Sequence, residues 1–374
     1  MKRITVTESN DSVWNGPQDP RKPANWSFAR KWTIVVTTSL ATFIVSLGSS
    51  IFSAAIPFVQ AEFGVSSHVA LLGISLYVLG FAFGPMVWGP ASELYGKTRP
   101  LWIGYFFFCL LHIPCALATQ ISVVLVFRFL IGLAGSSMLA ILGGMYVDFL
   151  LHPTERGIST AVFSAATFSG PSLGPIVGNI VATRWGWRFT IWATMVGAAV
   201  FGMLAFLSTP ETSEVVIARR KARKVYKDTG NESILRQLPE ETPNTSIFCQ
   251  VYLAKPIRMI CQEPILIFMT IYMSVVYGII YTTFTMYPIA FTSYRGWPSV
   301  QASLPFLGIL VGVLLACCML AYHNIYYIPL LMRQTEVHVP ERRLVPMILG
   351  SASFGSPGPP THLYHGYLRR ALVF

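Results

Sequence analysis

Apolar residues gather into eight long runs divided by short polar stretches: 33–57, 69–89, 100–119, 121–147, 157–182, 188–208, 263–288 and 300–322. Each is about 20–26 residues long, and at about 1.5 Å per residue a helix of that length crosses a hydrocarbon core of about 30 Å. A ninth run begins near Leu344 and breaks off around Gly355. Barrel strands are excluded, because they need only about ten residues of alternating character. Residues 1–32 are polar and rich in Pro, Asn and Asp, so they do not read as a signal peptide. The pattern predicts an all-α membrane protein with about eight spans and a partial ninth.

Composition agrees. Of 374 residues, 53% are hydrophobic and 11% charged, against roughly 25% charged in an average soluble domain. The six cysteines (109, 115, 249, 261, 317 and 318) form no CxxC pair, so neither a metal site nor a disulfide framework is expected, and no cofactor. A net charge of +11 in a soluble protein would suggest nucleic acid. Here its sidedness matters more. With the N-terminus in the cytoplasm, 21 Lys and Arg residues fall in inner segments and three (Arg184, Arg188, Arg295) in outer ones. That asymmetry predicts a cytoplasmic N-terminus, and the basic charge becomes a topology signal rather than a nucleic-acid footprint. The sequons at Asn10, Asn25, Asn231 and Asn244 all fall on the inner side.

The segment 209–262 divides the chain after six spans and carries the run Arg219-Arg220-Lys221-Ala222-Arg223-Lys224. It reads as a solvated inner loop, or as a site for anionic membrane lipid at about 1 kcal/mol per basic residue. The expected organisation is a cytoplasmic N-terminal segment (1–32), a first six-span bundle (33–208), a cytoplasmic central loop (209–262), a partial second bundle (263–355) and an atypical tail (356–374). Six spans, a basic loop and further spans is the layout of a two-lobed transporter that rocks about a midplane site.

Three motifs bear on chemistry. Gly89-Pro90-Ala91-Ser92-Glu93-Leu94-Tyr95-Gly96-Lys97-Thr98-Arg99 stands between spans 2 and 3, where the two glycines are expected to let backbones pass closely and the charges to latch a helix end. Arg128 lies in span 4, some 10 Å deep, where an Arg costs at least about 2.5–3.5 kcal/mol. It is either functional or a cap on backbone carbonyls. In span 5, Gly170, Gly174 and Gly178 recur every four residues and share a face that favours close packing, beside the helix-bending Pro171 and Pro175.

Together these motifs resemble the major facilitator superfamily. Gly89, Glu93, Gly96, Lys97 and Arg99 match its inner loop, with Glu93 in place of the more usual Asp. Asp148 matches an acid that pairs with that loop. Arg128 followed by Gly132 resembles its span-4 motif, implicated in proton coupling. Gly174-Pro175-x-x-Gly178, with Gly170 before it, resembles the motif of proton-driven drug exporters. The entry Asp19-Pro20-Arg21-Lys22-Pro23-Ala24-Asn25-Trp26, with Pro210-Glu211-Thr212 and Pro340-Glu341-Arg342-Arg343-Leu344, is similar to fungal twelve-span drug:proton antiporters, including polyamine and multidrug exporters. The resemblance implies a two-bundle fold, the first bundle complete and the second incomplete. It also implies proton-driven export of small cationic or amphipathic compounds from the plasma membrane, or from the vacuolar membrane, with protons, the small-molecule substrate and membrane lipid as partners.

In span 7, Tyr277, Tyr281 and Phe284 share a face, either as helix packing or as an aromatic substrate box suited to cations. No acid lies deep in the spans, which counts against polyamines. Arg128, Tyr281 and Phe284 are the candidate coupling and substrate residues. A receptor of about seven spans is a competing class, but the six-span division and the loop motif speak against it. An enzyme is not expected, since His112 is the sole mid-span His and has no acid near it in sequence. A truncated, transport-incompetent family member is a further alternative. It would leave a face of spans 7 and 8 uncovered, including Gly308, Gly312, Tyr322 and His323.

Overall fold

Residues 19–229 and 255–327 are described here from a computed structural model. Among them the chain is all-α. The expected partial ninth span and the 356–374 tail lie outside the described residues.

Helix α1 (Phe28–Phe63) starts where Ser27 Oγ accepts the Arg30 amide, runs regularly to Ser50, and tightens into a 3-10 segment over Ile51–Ala55 before ending at the left-handed Gly64. It is followed by α2 (Ser67–Tyr95), α3 (Thr98–Ala116), α4 (Ile121–Phe149), α5 (Pro153–Trp185) and α6 (Trp187–Ser208). These match the first six expected spans and extend several of them by a few residues. In the first bundle α2 packs along α4, α1 along α5 and α6, and α3 along α4 and α6. Tyr77, Phe108, Met138 and Ile141 are wholly buried between them, while Phe106, Val126, Phe189 and Leu207 face outward. Outward-facing apolar side chains are expected where lipid is the solvent.

Two short amphipathic helices, α7 (Glu214–Thr229) and α8 (Lys255–Gln262), precede α9 (Pro264–Pro288), which continues as a π-helical turn to Tyr294. The eighth run, expected as one helix over 300–322, is divided: α10 (Ser299–Ala302) turns through Ser303–Pro305 into α11 (Phe306–Tyr322). Pro305 has no amide proton to carry the helix through that turn. Helix α11 lies along α5. The uncovered face expected on the last two spans is only partly found. Gly308 and Gly312 have nothing within 4 Å of an added Cβ, and Tyr322 is exposed. His323 and Asn324, however, are buried, and the Asn324 carboxamide fills the space a side chain at Gly157 would take. The glycine near the start of α5 makes that contact possible.

Helix α7 is docked rather than a free loop. Its Ala218 and Ala222 are buried, and Lys221 Nζ reaches the buried Asp19 carboxylate at 3.2 Å. Asp19 also caps its own turn, accepting the Arg21 amide on Oδ1 and the Asn25 side chain on its carbonyl oxygen. Trp26 is buried beside Phe149, with the Arg30 guanidinium 4.5 Å from its ring. The N-terminal motif is therefore a clamp that fastens α7 to the first bundle. Asp19→Ala would strand a mostly buried lysine, costing on the order of 1–2 kcal/mol once its partial exposure is allowed for. Trypsin should then cut the full chain in detergent at Arg219–Lys224 roughly tenfold faster than wild type. An unchanged cleavage rate would show that the clamp does not hold α7.

Candidate functional site

The break in α1 organises the site. Passing from α-helical to 3-10 bonding at Ser50–Ile51 alters the hydrogen-bond register, and carbonyls next to such a change are open to outside donors. Arg128 of α4 supplies them. Its Nη1 donates to Gly48 O at 2.9 Å, Nη2 to Ser49 O at 3.2 Å and Nε to Gly73 O of α2 at 2.8 Å. The rings of Tyr77 and Phe52 lie 4.4 and 4.8 Å from the guanidinium carbon. Tyr77 in turn donates its hydroxyl to Val45 O at 2.7 Å. Among the described residues no carboxylate pairs with Arg128. The buried charge is held by carbonyl dipoles and ring faces, which is the capping geometry.

The opposite side of the same stretch of α1 rests on the glycine face of α5. An added Cβ on Gly170 would meet Leu47 N at 2.7 Å, one on Gly174 would meet Ser50 Oγ at 1.9 Å, and one on Gly178 would meet Ile51 O at 2.6 Å. Real Cβ contacts essentially never fall below 3.0 Å. Residues 47–54 are thus clasped between Arg128 and the Gly170, Gly174, Gly178 stripe. Pro175 sits within that stripe, and its carbonyl accepts the Asn179 side-chain amide at 3.0 Å.

Helix α9 reaches this clasp from the second part of the chain. The Tyr281 hydroxyl donates to Ser49 Oγ at 2.9 Å. Its ring stacks at 16° on Tyr277, which also meets Phe168 of α5 at 5.9 Å between centroids. Phe284 behaves differently from the expectation of a substrate contact. It is 1% exposed and packs with Ile176 and Phe306, one turn beyond Tyr281, so it seals the contact of α5, α9 and α11. Sequence spacing put Tyr281 and Phe284 on one face but could not show which of them is covered.

A second cluster lies at the far end of the bundle. Lys97 Nζ donates to Asp148 Oδ1 at 2.8 Å and to Gly144 O at 2.7 Å. Glu211, beyond α6, accepts the Lys97 amide at 3.1 Å and the Thr98 hydroxyl at 2.7 Å. Gly96 has φ +88°, and an added Cβ there would meet the Glu211 carboxylate at 2.7 Å. Glu93 and Arg99 are exposed and make no ion pair among the described residues. Gly89 departs from its expected role: it lies inside α2, and an added Cβ would meet nothing within 4 Å. At the other end, Arg188 grips Glu62 through both carboxylate oxygens at 2.6 and 2.8 Å, and Trp187 Nε1 joins them at 2.7 Å.

Sequence reasoning missed Ser49, Phe52, Tyr77 and Phe168. The run Ser46-Leu47-Gly48-Ser49-Ser50, small and polar inside an apolar span, was the available signal for the break. Glu211 was legible only as part of a motif, since its partners lie 113 and 114 residues away.

The chain resembles many known transporters. It is 46% identical over 341 residues to the citrinin biosynthesis cluster MFS transporter of Monascus ruber, an alignment covering 90% of this chain and 68% of that protein. It is 38% identical over 342 residues to the ascochitine biosynthesis cluster MFS transporter of Didymella fabae, covering 91% of this chain and 66% of that one. Among solved structures, the proton:xylose symporter XylE shares the fold with a TM-score of 0.54 at 17% identity, over 78% of this chain and 70% of the other. The family model described as Major Facilitator Superfamily matches residues 38–356, which take in the α1 break, Arg128, the α5 glycines and helices α9 to α11. A clasped helix break, a carbonyl-held arginine and a lysine–aspartate latch are therefore parts of a multi-pass membrane transporter, and the chain belongs to the Major Facilitator Superfamily.

Proposed function

We propose that this chain serves proton-driven export of a small amphipathic organic compound, of the kind made by fungal biosynthetic clusters, across the plasma membrane with its N-terminus in the cytoplasm. The observation that carries the reading is the pairing of an aromatic wall with a fixed positive charge. Tyr277, Tyr281 and Phe168 offer ring faces where α9 meets α5 and α1, and Arg128 holds its charge close by with no carboxylate partner among the described residues. Ring faces favour a flat apolar body. A buried cation with no acid beside it disfavours a polycation, so polyamines fit poorly. The names of two relatives, tied to citrinin and ascochitine clusters, support the same class.

Arg128 does not release its proton in a protein. Its part in coupling is to set the local field and to fix the backbone of α1, while another group carries the proton. The cytoplasmic N-terminus rests on the basic asymmetry of the loops. Expression of the full chain in yeast lacking its own exporters provides the test. Efflux of citrinin should depend on the proton gradient, and spermidine should not compete. Efflux no greater than in vector controls, or efflux indifferent to a protonophore, overturns the proposal.

A further inference from the structure

At the Trp187 end of the first bundle, the last turns of α1 and the α5–α6 turn border a cleft of about 540 Å³. Its walls are the rings of Phe58, Trp185 and Phe189, which are 37%, 58% and 52% exposed. Gly186, at φ +92°, makes the turn, and an added Cβ there would meet nothing within 4 Å. Trp187 backs the cleft from the core, edge-on to Phe52 and Phe63.

Glu62 and Arg188 form the polar edge, each more than a third exposed along its side chain after rounding to 39% and 35%. Arg188 lies 4.6 Å over the Trp187 ring, gives two N–H groups to Glu62 and a third to Ala118 O at 3.0 Å. Trp187 Nε1 takes a further acceptor site on Glu62. A guanidinium has five N–H donors and a carboxylate about four acceptor sites. Among the described residues, Arg188 therefore keeps two donors and Glu62 one acceptor site for a ligand. The two charges stand side by side. A simple anion meets the carboxylate and a simple cation meets the guanidinium, whereas a zwitterion complements both.

The level of the cleft selects the zwitterion. Apolar spans end at Phe63 and begin at Trp187, so the cleft lies where hydrocarbon gives way to headgroups, the level that Trp favours. Below it, Phe189, Val196, Val200 and Met203 are exposed along one face of α6, a surface for acyl chains. Aromatic faces are also the common receptor for quaternary ammonium groups.

We propose that this cleft binds the phosphocholine headgroup of a membrane lipid. The phosphate faces Arg188, the trimethylammonium group sits among Phe58, Trp185 and Phe189 beside Glu62, and the acyl chains follow α6. The bound lipid ties the end of α1 to the α5–α6 turn. The site stands apart from the export reading.

The test is thermal unfolding of the full chain, delipidated in detergent, with added dihexanoyl phosphatidylcholine below its micelle-forming concentration. A saturable rise of about 3–5 °C is expected at a hundredfold excess over the midpoint. Dihexanoyl phosphatidylglycerol, with the same tails and an anionic headgroup, should give less than half of it. Glycerophosphocholine, with the same headgroup and no tails, should need at least roughly tenfold more. Trp185→Ala and Phe189→Ala should each raise the phosphatidylcholine midpoint roughly threefold to tenfold. Glu62→Gln leaves Arg188 without its counter-charge and should reverse the preference toward phosphatidylglycerol. The two ring variants carry the test if Glu62→Gln fails to fold. Equal shifts from both lipids, or unchanged midpoints in both ring variants, overturn the proposal. An equal midpoint for glycerophosphocholine makes the ligand a soluble choline ester and overturns the lipid assignment, and a larger shift from citrinin does so in favour of the exported compound.

Discussion

Arg128→Ala should reduce proton-driven efflux to background and lower the melting temperature of the purified protein. Three charge-assisted hydrogen bonds disappear at once, leaving the carbonyls of Gly48, Ser49 and Gly73 without those donors in a buried site. The substitution also relieves the chain of burying a cation, which offsets part of that loss. We expect a net cost of roughly 2–4 kcal/mol, because a buried polar network that loses its central member leaves every partner uncompensated. Arg128→Lys keeps the charge but lacks the planar fork, and one ammonium cannot reproduce the guanidinium's fixed reach to Gly48, Ser49 and Gly73. It should recover little efflux. Thermal unfolding in detergent and efflux in cells check the two effects separately. Wild-type behaviour of the alanine variant in both would remove Arg128 from the centre of the site.

Gly132→Ala, four residues along the same helix, should prevent the chain from accumulating as a folded species. An added Cβ would lie 2.1 Å from the Tyr77 carbonyl oxygen and 2.9 Å from its carbon. Those are backbone atoms of α2, so no rotamer change relieves the clash. Helices α2 and α4 must part by about an ångström, and close-packed interiors resist such displacement at a cost of at least about 1–3 kcal/mol. The shift also carries Gly73 and Tyr77 away from Arg128. Gly143→Ala is the control. It lies in the same helix with nothing within 4 Å of an added Cβ, and it should gain up to about 1 kcal/mol of helix propensity. Size-exclusion yield of fluorescent fusions distinguishes the pair. Equal yields would contradict the close α2–α4 approach.

Legibility in the sequence followed the range of the physics. Span length and the period-four glycines of α5 are local, and both appear in the structure as the pattern requires. The Lys97–Asp148 pair spans 51 residues, yet it was readable because a family motif carries that distance. What could not be read was the covering of individual faces. Tyr281 and Phe284 look equivalent on a helical wheel, and only the approach of Ile176 and Phe306 separates a partly buried ring from a sealed one. The α1 break was equally hidden, because small polar residues inside a span are compatible with a kink, a packing face or a pore lining. Gly89 shows the reverse failure. Its motif position suggested a tight approach, and an added Cβ there would meet nothing within 4 Å.

Of the eight long helices among the described residues, α5 is the one that does not reach the apolar composition of an independent span. Its glycines, serines and paired prolines are spent on α1 and α11 instead of lipid. This sets a constraint on biogenesis. The insertion machinery would deliver the other helices by hydrophobicity alone, whereas α5 gains its place only once α1 is present to cover it. Helix α1, made before α5, must wait exposed along that face until α5 arrives, so the assembly of the bundle is ordered by the least greasy of these helices.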